Sequence, residues 1–352
     1  MNPDNLIPRR RFLAQSLSLT AGVPFLVTSC STRPAPIALH RFEYEQPQMG
    51  VPFRLIAYAQ SESHGQAAAK LVMERITQLN AILSDYETDS ELSHLNRTAG
   101  TGKAVKVSPD LWNVLQAAQR MARLSQGAFD ITAGPYISLW RRARRIHRLP
   151  EPEKLAEARK AVGYKNLILN PDTRSATLLV PKMKLDLGGL AKGYAADEAL
   201  KIFRRCGISR ALVAASGDTA VSDPPPEQTG WKVEIGRHPD APAQTKPKVL
   251  LLHRRAVATS GDAFQSVVLD GRRYSHIVNP FTGLGLTDQS QVTVIAQSGM
   301  LADALATAIS VLGPSRGLDL AHALGAALLY QRKNGDRLEE IISEKFSAFL
   351  VL

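Results

Sequence analysis

Lys184-Leu185-Asp186-Leu187-Gly188-Gly189-Leu190-Ala191-Lys192-Gly193-Tyr194-Ala195-Ala196-Asp197 is the stretch on which the reading of this chain turns. A short strand over 184–187 runs into two glycines, and a helix over 190–205 then opens with a lysine in its first turn. Glycines let backbone come close to a ligand, and a helix N-terminus offers free N–H groups and the positive end of a dipole. Lys192 adds a full charge, so the turn can hold a pyrophosphate; it can equally be no more than a tight strand-to-helix turn. The glycine spacing is neither that of the P-loop nor that of the Rossmann fingerprint.

Outward from this stretch, strand-like runs occur at 51–59, 167–169, 176–180, 211–214, 232–235, 249–252, 266–269, 274–278, 292–295 and 327–331. Asp270-Gly271 and Asn334-Gly335 are hairpin turn signals. Helical periodicity marks 65–83, 109–124, 153–162 and 300–312, in addition to 190–205. Strands and helices interleave without strict alternation, and hairpins lie among them. That pattern predicts an α+β fold of mixed sheets flanked by helices, not a doubly wound parallel sheet. Pro224-Pro225-Pro226 and the stretch 239–247 read as surface loops.

The 352 residues are 44% apolar and 21% charged, with a formal charge of +11. The length suits one large or two small domains behind an N-terminal address. Excess positive charge favours phosphates or lipid headgroups. No nucleic-acid partner is expected, because no zinc knuckle, basic zipper or RNA-binding aromatic signature is present. Part of the excess lies in Trp140-Arg141-Arg142-Ala143-Arg144-Arg145-Ile146-His147-Arg148, which reads as a solvated basic helix end or as a face for an anion. The two cysteines, Cys30 and Cys206, give no disulfide framework.

Residues 1–29 read as a signal peptide, with Arg9-Arg10-Arg11-Phe12-Leu13 resembling a twin-arginine export signal. Val27-Thr28-Ser29-Cys30 resembles a bacterial lipobox, so Cys30 is the expected lipidation site. The expected location is the periplasmic face of the inner membrane, held by a lipid anchor. Residues 30–47, with Pro34, Pro36 and Pro47, read as a tether, and 48–352 as the functional domain.

Two further segments carry chemistry. Asp303 and Thr307 are four residues apart in Ser298-Gly299-Met300-Leu301-Ala302-Asp303-Ala304-Leu305-Ala306-Thr307, so they share a helix face. A carboxylate among Ala and Leu is costly unless it is paired or bound to a cation. With a hydroxyl beside it, it suits a hard ion such as Mg²⁺; a first-turn helix acid is the other reading. His276, in Tyr274-Ser275-His276-Ile277-Val278-Asn279-Pro280-Phe281-Thr282-Gly283, sits on a strand that leads into a turn. It is a structural histidine or a proton acceptor near neutral pH.

These segments, together with several others in order along the chain, resemble the FAD:protein FMN transferase family, the ApbE-type flavinyltransferases. The others are Met49-Gly50-Val51-Pro52-Phe53, Ser84-Asp85-Tyr86 with Asp89-Ser90-Glu91-Leu92-Ser93-His94-Leu95-Asn96, and Gly127-Ala128-Phe129-Asp130-Ile131-Thr132-Ala133-Gly134-Pro135 with Leu139-Trp140. Ser216-Gly217-Asp218 and Thr259-Ser260-Gly261-Asp262 fall where the family has glycine turns. The resemblance implies an ApbE-like, T-fold-like architecture and a flavinyltransferase domain over 48–352. It implies FAD contacts at Met49, Tyr86, Ala128, Phe129, Asp130, Asp186, Lys192 and Ile277. It also implies Mg²⁺ at the Gly189 carbonyl, Asp303 and Thr307, and a base at His276. The implied reaction is transfer of FMN from FAD to a threonine hydroxyl of an exported flavoprotein, of redox-complex type, with release of AMP. An FAD pyrophosphatase and a non-catalytic flavin-binding lipoprotein are the alternatives. Asn279 stands where an aspartate is usual, Ala306 replaces an acid some members place beside the metal, and the basic run after Trp140 is outside the pattern.

Overall fold

In the computed structural model, which describes residues 38–242, 244–261, 266–335 and 337–351, the chain enters its fold inside the stretch expected to be a tether. β1 (His40–Gln48) pairs antiparallel with β2 (Val51–Ala59) along its whole length. The tether reading of 30–47 is therefore corrected from His40 onward. β1 is an edge strand whose side chains are exposed or half-buried, so it lacks the apolar alternation that marks β2. Its turn, Met49-Gly50, has positive φ at both residues (49° and 78°), as a two-residue turn with strand-matching twist requires. The expected signal peptide over 1–29 and lipidation at Cys30 lie outside the described residues.

α1 (Glu62–Leu83) is capped by Ser61, which accepts from His64 N–H, and buries Val72, Ile76, Leu79 and Leu83 along one stripe. After it come α2 (Glu91–Asn96), β3 (Val105–Lys106), α3 (Pro109–Leu124), α4 (Gly134–Ile146) and α5 (Pro152–Arg159). β4 (Leu167–Asn170) and β5 (Ser175–Leu178) follow, and β5 joins β3 and β4 in a small sheet. Next are α6 (Ala191–Arg205), β6 (Ala211–Ala215), β7 (Asp218–Val221), β8 (Trp231–Ile235), β9 (Lys248–Leu252) and β10 (Arg255–Gly261). The rest is β11 (Ser266–Leu269), β12 (Arg272–Ser275), β13 (Ser290–Ala296), α7 (Gly299–Leu312), α8 (Pro314–Ala323), β14 (Ala327–Asn334), β15 (Arg337–Ile342) and α9 (Glu344–Ser347).

The main sheet has the order β1-β2-β6-β7-β10-β13-β14-β15, and each of its pairs is antiparallel. Alternate residues face opposite ways, as the pleat demands. Leu55, Ala57, Ala256, Ala258, Val292 and Val294 turn to a large core under α1, α6 and α7. Ile56, Val257 and Ile295 turn to a second core, closed by the β8–β9 hairpin and Phe346 of α9. A third core joins Tyr136 and Trp140 of α4 to Val267, Leu269 and Tyr274 of the β11–β12 hairpin. The expected α+β class of sheets flanked by helices is the one observed. Among the described residues no helix is long and apolar enough to cross a membrane.

Two expected strands differ. Residues 184–187 join no sheet; a single bridge links Lys184 to Ala133. Leu185, Asp186 and Leu187 are all buried, so the run alternates apolar and polar in sequence without alternating in burial. Its backbone is satisfied elsewhere: Leu185 N–H donates to Asn96 Oδ1, Asn96 Nδ2 donates to the Leu185 carbonyl, and Asp186 N–H donates to the Ile131 carbonyl. The strand expected over 274–278 ends at Ser275, so His276 lies just beyond β12.

Candidate active-site cleft

The ends of these elements enclose a cleft of about 1040 Å³. All twelve predicted site residues within the described chain line it: Met49, Tyr86, Ala128, Phe129, Asp130, Asp186, Gly189, Lys192, His276, Ile277, Asp303 and Thr307. Met49 comes from the β1–β2 turn, Tyr86 from the loop after α1, and Ala128, Phe129 and Asp130 from the loop before α4. Such convergence from segments far apart in sequence is how clefts between elements are built.

The cleft floor is set by the crossing of α6 and α7. A β-carbon on Gly193 would lie 2.2 Å from the Gly299 carbonyl oxygen, so only glycine allows the two helix starts to meet. Asp197 locks the crossing, accepting from Gly299 N–H at 2.7 Å and Met300 N–H at 3.0 Å. Burial still pushes its carboxyl up to about 6. This crossing brings Lys192 of α6 beside Asp303 of α7. Lys192 Nζ lies 3.4 Å from Asp303 Oδ2 and 3.0 Å from Asp218 Oδ2. Asp218 opens β7 after the Ser216-Gly217 turn.

Asp218 and Asp303 are both buried, at 4% exposure each, and one ammonium serves the two. Burial and the neighbouring Asp303 charge push the Asp218 carboxyl up to about 7, and Lys192 does not outweigh them. Burial works against the Lys192 charge, yet Asp303 and Asp218 together raise its pKa above the usual lysine value. Thr307, one turn beyond Asp303, has its Oγ1 3.4 Å from Ser260 Oγ of β10. Gly189 faces the same hydroxyl, since a β-carbon there would sit 3.2 Å from Thr307 Oγ1. A buried carboxylate and a hydroxyl one turn apart on α7, with the Gly189 backbone beside the hydroxyl, are oxygen donors of the kind that fit a hard divalent cation.

One wall of the cleft is a second charged group. Arg141 donates to Asp85 Oδ2 at 2.5 Å and to Asp186 Oδ2 at 2.7 Å, and its guanidinium carbon lies 4.2 Å from the centre of the Tyr86 ring. Asp186 Oδ1 accepts from Gly188 N–H at 2.8 Å. Burial and the Asp85 charge hold the Asp186 carboxyl above the usual range. The basic run thus divides: Arg141 and Arg144 line the cleft, while Arg142, Arg145, His147 and Arg148 are exposed. From the sequence Arg141 belongs either to a solvated helix end or to a face for an anion, and Asp218 only to a glycine turn. No local signal sets Arg141 apart from the other arginines of the run; it is singled out only once α4 docks through the buried Trp140.

Other predicted residues carry local structural work. Asp130 has both oxygens engaged: Oδ1 by the N–H and hydroxyl of Thr132, Oδ2 by Tyr164 N–H. Burial raises its pKa despite these bonds. His276 and Ile277 are held by their neighbours. Trp140 Nε1 donates to the Ser275 carbonyl at 3.0 Å, and Ile277 N–H donates to Ser275 Oγ at 3.1 Å. Asn279 Oδ1 accepts from Phe281 N–H, a turn-forming task that an aspartate oxygen performs equally. Ala306 is wholly buried in the large core and does not line the cleft.

The sequence profile of the ApbE family matches residues 49–329. The FAD:protein FMN transferase of Vibrio cholerae is 31% identical over 311 residues, covering 86% of this chain and 91% of that protein. The FAD:protein FMN transferase of Escherichia coli K12 is 29% identical over 346 residues, 95% of this chain and 97% of its own. Among solved structures, the flavin transferase ApbE of Vibrio cholerae superposes with a TM-score of 0.80 at 28% identity, over 89% of this chain and 100% of that one. The ApbE protein of Thermotoga maritima gives 0.78 at 29% identity, over 88% and 99%.

Proposed function

This chain belongs to the ApbE family, and from that premise we propose that it is a transferase that moves FMN from FAD to a threonine hydroxyl of an exported acceptor protein, releasing AMP. The observation that carries the reading is the cleft floor. A helix N-terminus and Lys192 face two buried carboxylates and Thr307, the combination that a diphosphate with a divalent cation needs.

In this reading Met49, Tyr86, Ala128, Phe129, Asp130, Asp186 and Ile277 line the space for the two ring systems and sugars of FAD. Lys192 offsets charge on the diphosphate. Asp303, Thr307 and the Gly189 carbonyl would hold Mg²⁺, which when bound neutralises the diphosphate and eases departure of AMP. The acceptor hydroxyl oxygen attacks the FMN phosphorus, the bond from that phosphorus to the bridging oxygen breaks, and AMP leaves with that oxygen. His276 takes the proton of the attacking hydroxyl. The twin-arginine and lipobox patterns support export and anchoring through Cys30 at the periplasmic face of the inner membrane, where an exported redox-complex subunit would be the acceptor.

Incubation of the protein with FAD, Mg²⁺ and a candidate exported flavoprotein tests this, read by mass spectrometry. The expected result is an acceptor heavier by one FMN group on a threonine, with AMP in solution. Free FMN and AMP with an unmodified acceptor would make the protein an FAD pyrophosphatase, and intact FAD with every acceptor would sink the proposal.

A further inference from the structure

A single guanidinium organises one wall of the cleft, and the reaction just described leaves it without a task. Arg141 joins three separate pieces of chain: Asp85 and Tyr86 from the loop after α1, Asp186 from the segment before α6, and its own helix α4. The two carboxylates it bridges have side chains only 7% and 6% exposed. Lys184 adds a weaker contact, with Nζ 3.7 Å from Asp85 Oδ2. The planar fork of arginine suits this geometry: Nη1 donates to Asp85, Nη2 donates to Asp186 and more weakly to Asp85 Oδ1 at 3.5 Å, and the flat face lies on the tyrosine ring.

Tyr86 is the unusual member. It remains 74% exposed although the guanidinium stacks on it. A large exposed aromatic ring, held in one orientation inside a cleft, is an incomplete stack. Planar heterocycles complete such stacks on aromatic and guanidinium planes. We infer that Arg141 is a positioning residue of this enzyme: forked between Asp85 and Asp186, it fixes Tyr86 as a rigid platform for a planar ring of the dinucleotide substrate. The inference rests on the reading of the cleft as the FAD site. It assigns Arg141 to recognition of the ring and leaves the diphosphate to Lys192.

The test compares wild type, Arg141→Lys, Arg141→Gln and the double variant Arg141→Gln/Asp85→Asn. FAD binding is followed by flavin fluorescence, inorganic pyrophosphate competition by displacement of FAD, transfer by acceptor mass, and folding by melting temperature. Lysine keeps the charge but has neither the fork nor the plane, so both single variants should bind FAD about tenfold more weakly and raise KM to match, with kcat within about twofold. Pyrophosphate, which has no ring, should bind as before. Arg141→Gln strands two buried carboxylates and should melt lower; the added Asp85→Asn neutralises one of them and should recover part of the lost melting temperature but none of the FAD affinity. Wild-type FAD affinity in the single variants, or its return in the double variant together with stability, would show Arg141 to be a structural pin and overturn the inference. An equal loss of pyrophosphate affinity would also overturn it. Wild-type protein that binds no FAD would overturn the functional reading, and this inference with it.

Discussion

At Arg75, between α1, α3 and α6, largely half-buried charges are in balance; at Lys192, at the start of the same α6, the buried charges are not. Arg75 donates to Asp110 at 2.5 and 3.0 Å and to Glu198 at 2.8 Å. Lys201 donates to Glu198 at 2.6 Å, and the Tyr194 hydroxyl donates to Asp110 at 2.7 Å. Burial pushes both carboxyls up, but Arg75 with Tyr194 at Asp110, and Lys201 with Arg75 at Glu198, outweigh it, and both end below the usual range. In the cleft, Asp218 and Asp303 share one ammonium, and Asp218 ends high, at about 7. The first group is complete as it stands and ties three helices together. The second keeps a surplus of negative charge that folding alone does not reward, which is what a place reserved for a cationic ligand looks like.

The largest effect should come from removing that surplus. Asp303→Asn keeps the volume and an acceptor for the Gly193 N–H, but not the charge. FMN transfer should fall by at least about a thousandfold. The melting temperature in chelator should hold or rise, because Asp218 no longer has a like charge beside it. Near-normal transfer with Mg²⁺ present would remove the metal assignment; a large drop in melting temperature would mean that the cleft group is as self-sufficient as the other.

At the balanced group the reverse is expected. Arg75→Met should lower stability by about 2 kcal/mol, because Asp110 keeps only the Tyr194 hydroxyl and Glu198 only Lys201, and leave the transfer rate of the folded protein unchanged. The pH dependence follows from the same pairing. The two carboxyls are held below their ordinary values of 3.8 and 4.5, so their stabilisation is full above those values and is lost as pH falls through and below them. Wild-type stability should therefore decline from about pH 5 to pH 3 more steeply than that of Arg75→Met, as urea titrations across that range would show. Parallel declines would mean that Arg75 does not set those carboxyls.

These two groups differ also in how far the sequence discloses them. α3 was expected over 109–124 and occupies Pro109–Leu124, because a serine cap, a first-turn proline and an apolar stripe all lie within the segment itself. β1 was hidden, since an exposed edge strand needs no apolar alternation, and Pro47 sits where it ends. The 184–187 run has the side-chain alternation of a strand, but the partner of its backbone is the amide of Asn96, which no local pattern shows. In the cleft, Asp303 and Thr307 were readable because their spacing places them on one face. Arg141 and Asp218 were not: the first is one arginine in a basic run, the second one aspartate after a glycine. Only the crossing of α6 with α7 and the docking of α4 give either of them a partner.

The smallest effect should separate metal geometry from metal charge. A β-carbon on Gly189 would lie 3.1 Å from Phe129 Cε2 and 3.2 Å from Thr307 Oγ1, too close to ignore yet not against backbone. Phe129 is 4% exposed and seated in the large core, so the few tenths of an ångström must come mainly from the Thr307 hydroxyl. Gly189→Ala should thus lower transfer about tenfold at modest Mg²⁺ and regain most of it at high Mg²⁺, with the melting temperature little changed. Asp303→Asn should show no such recovery, because added metal cannot replace a missing charge. If Gly189→Ala instead lost stability and its activity ignored Mg²⁺, Gly189 would be a packing position like those around Arg75. The oxygen donor set would then shrink to Asp303 and Thr307.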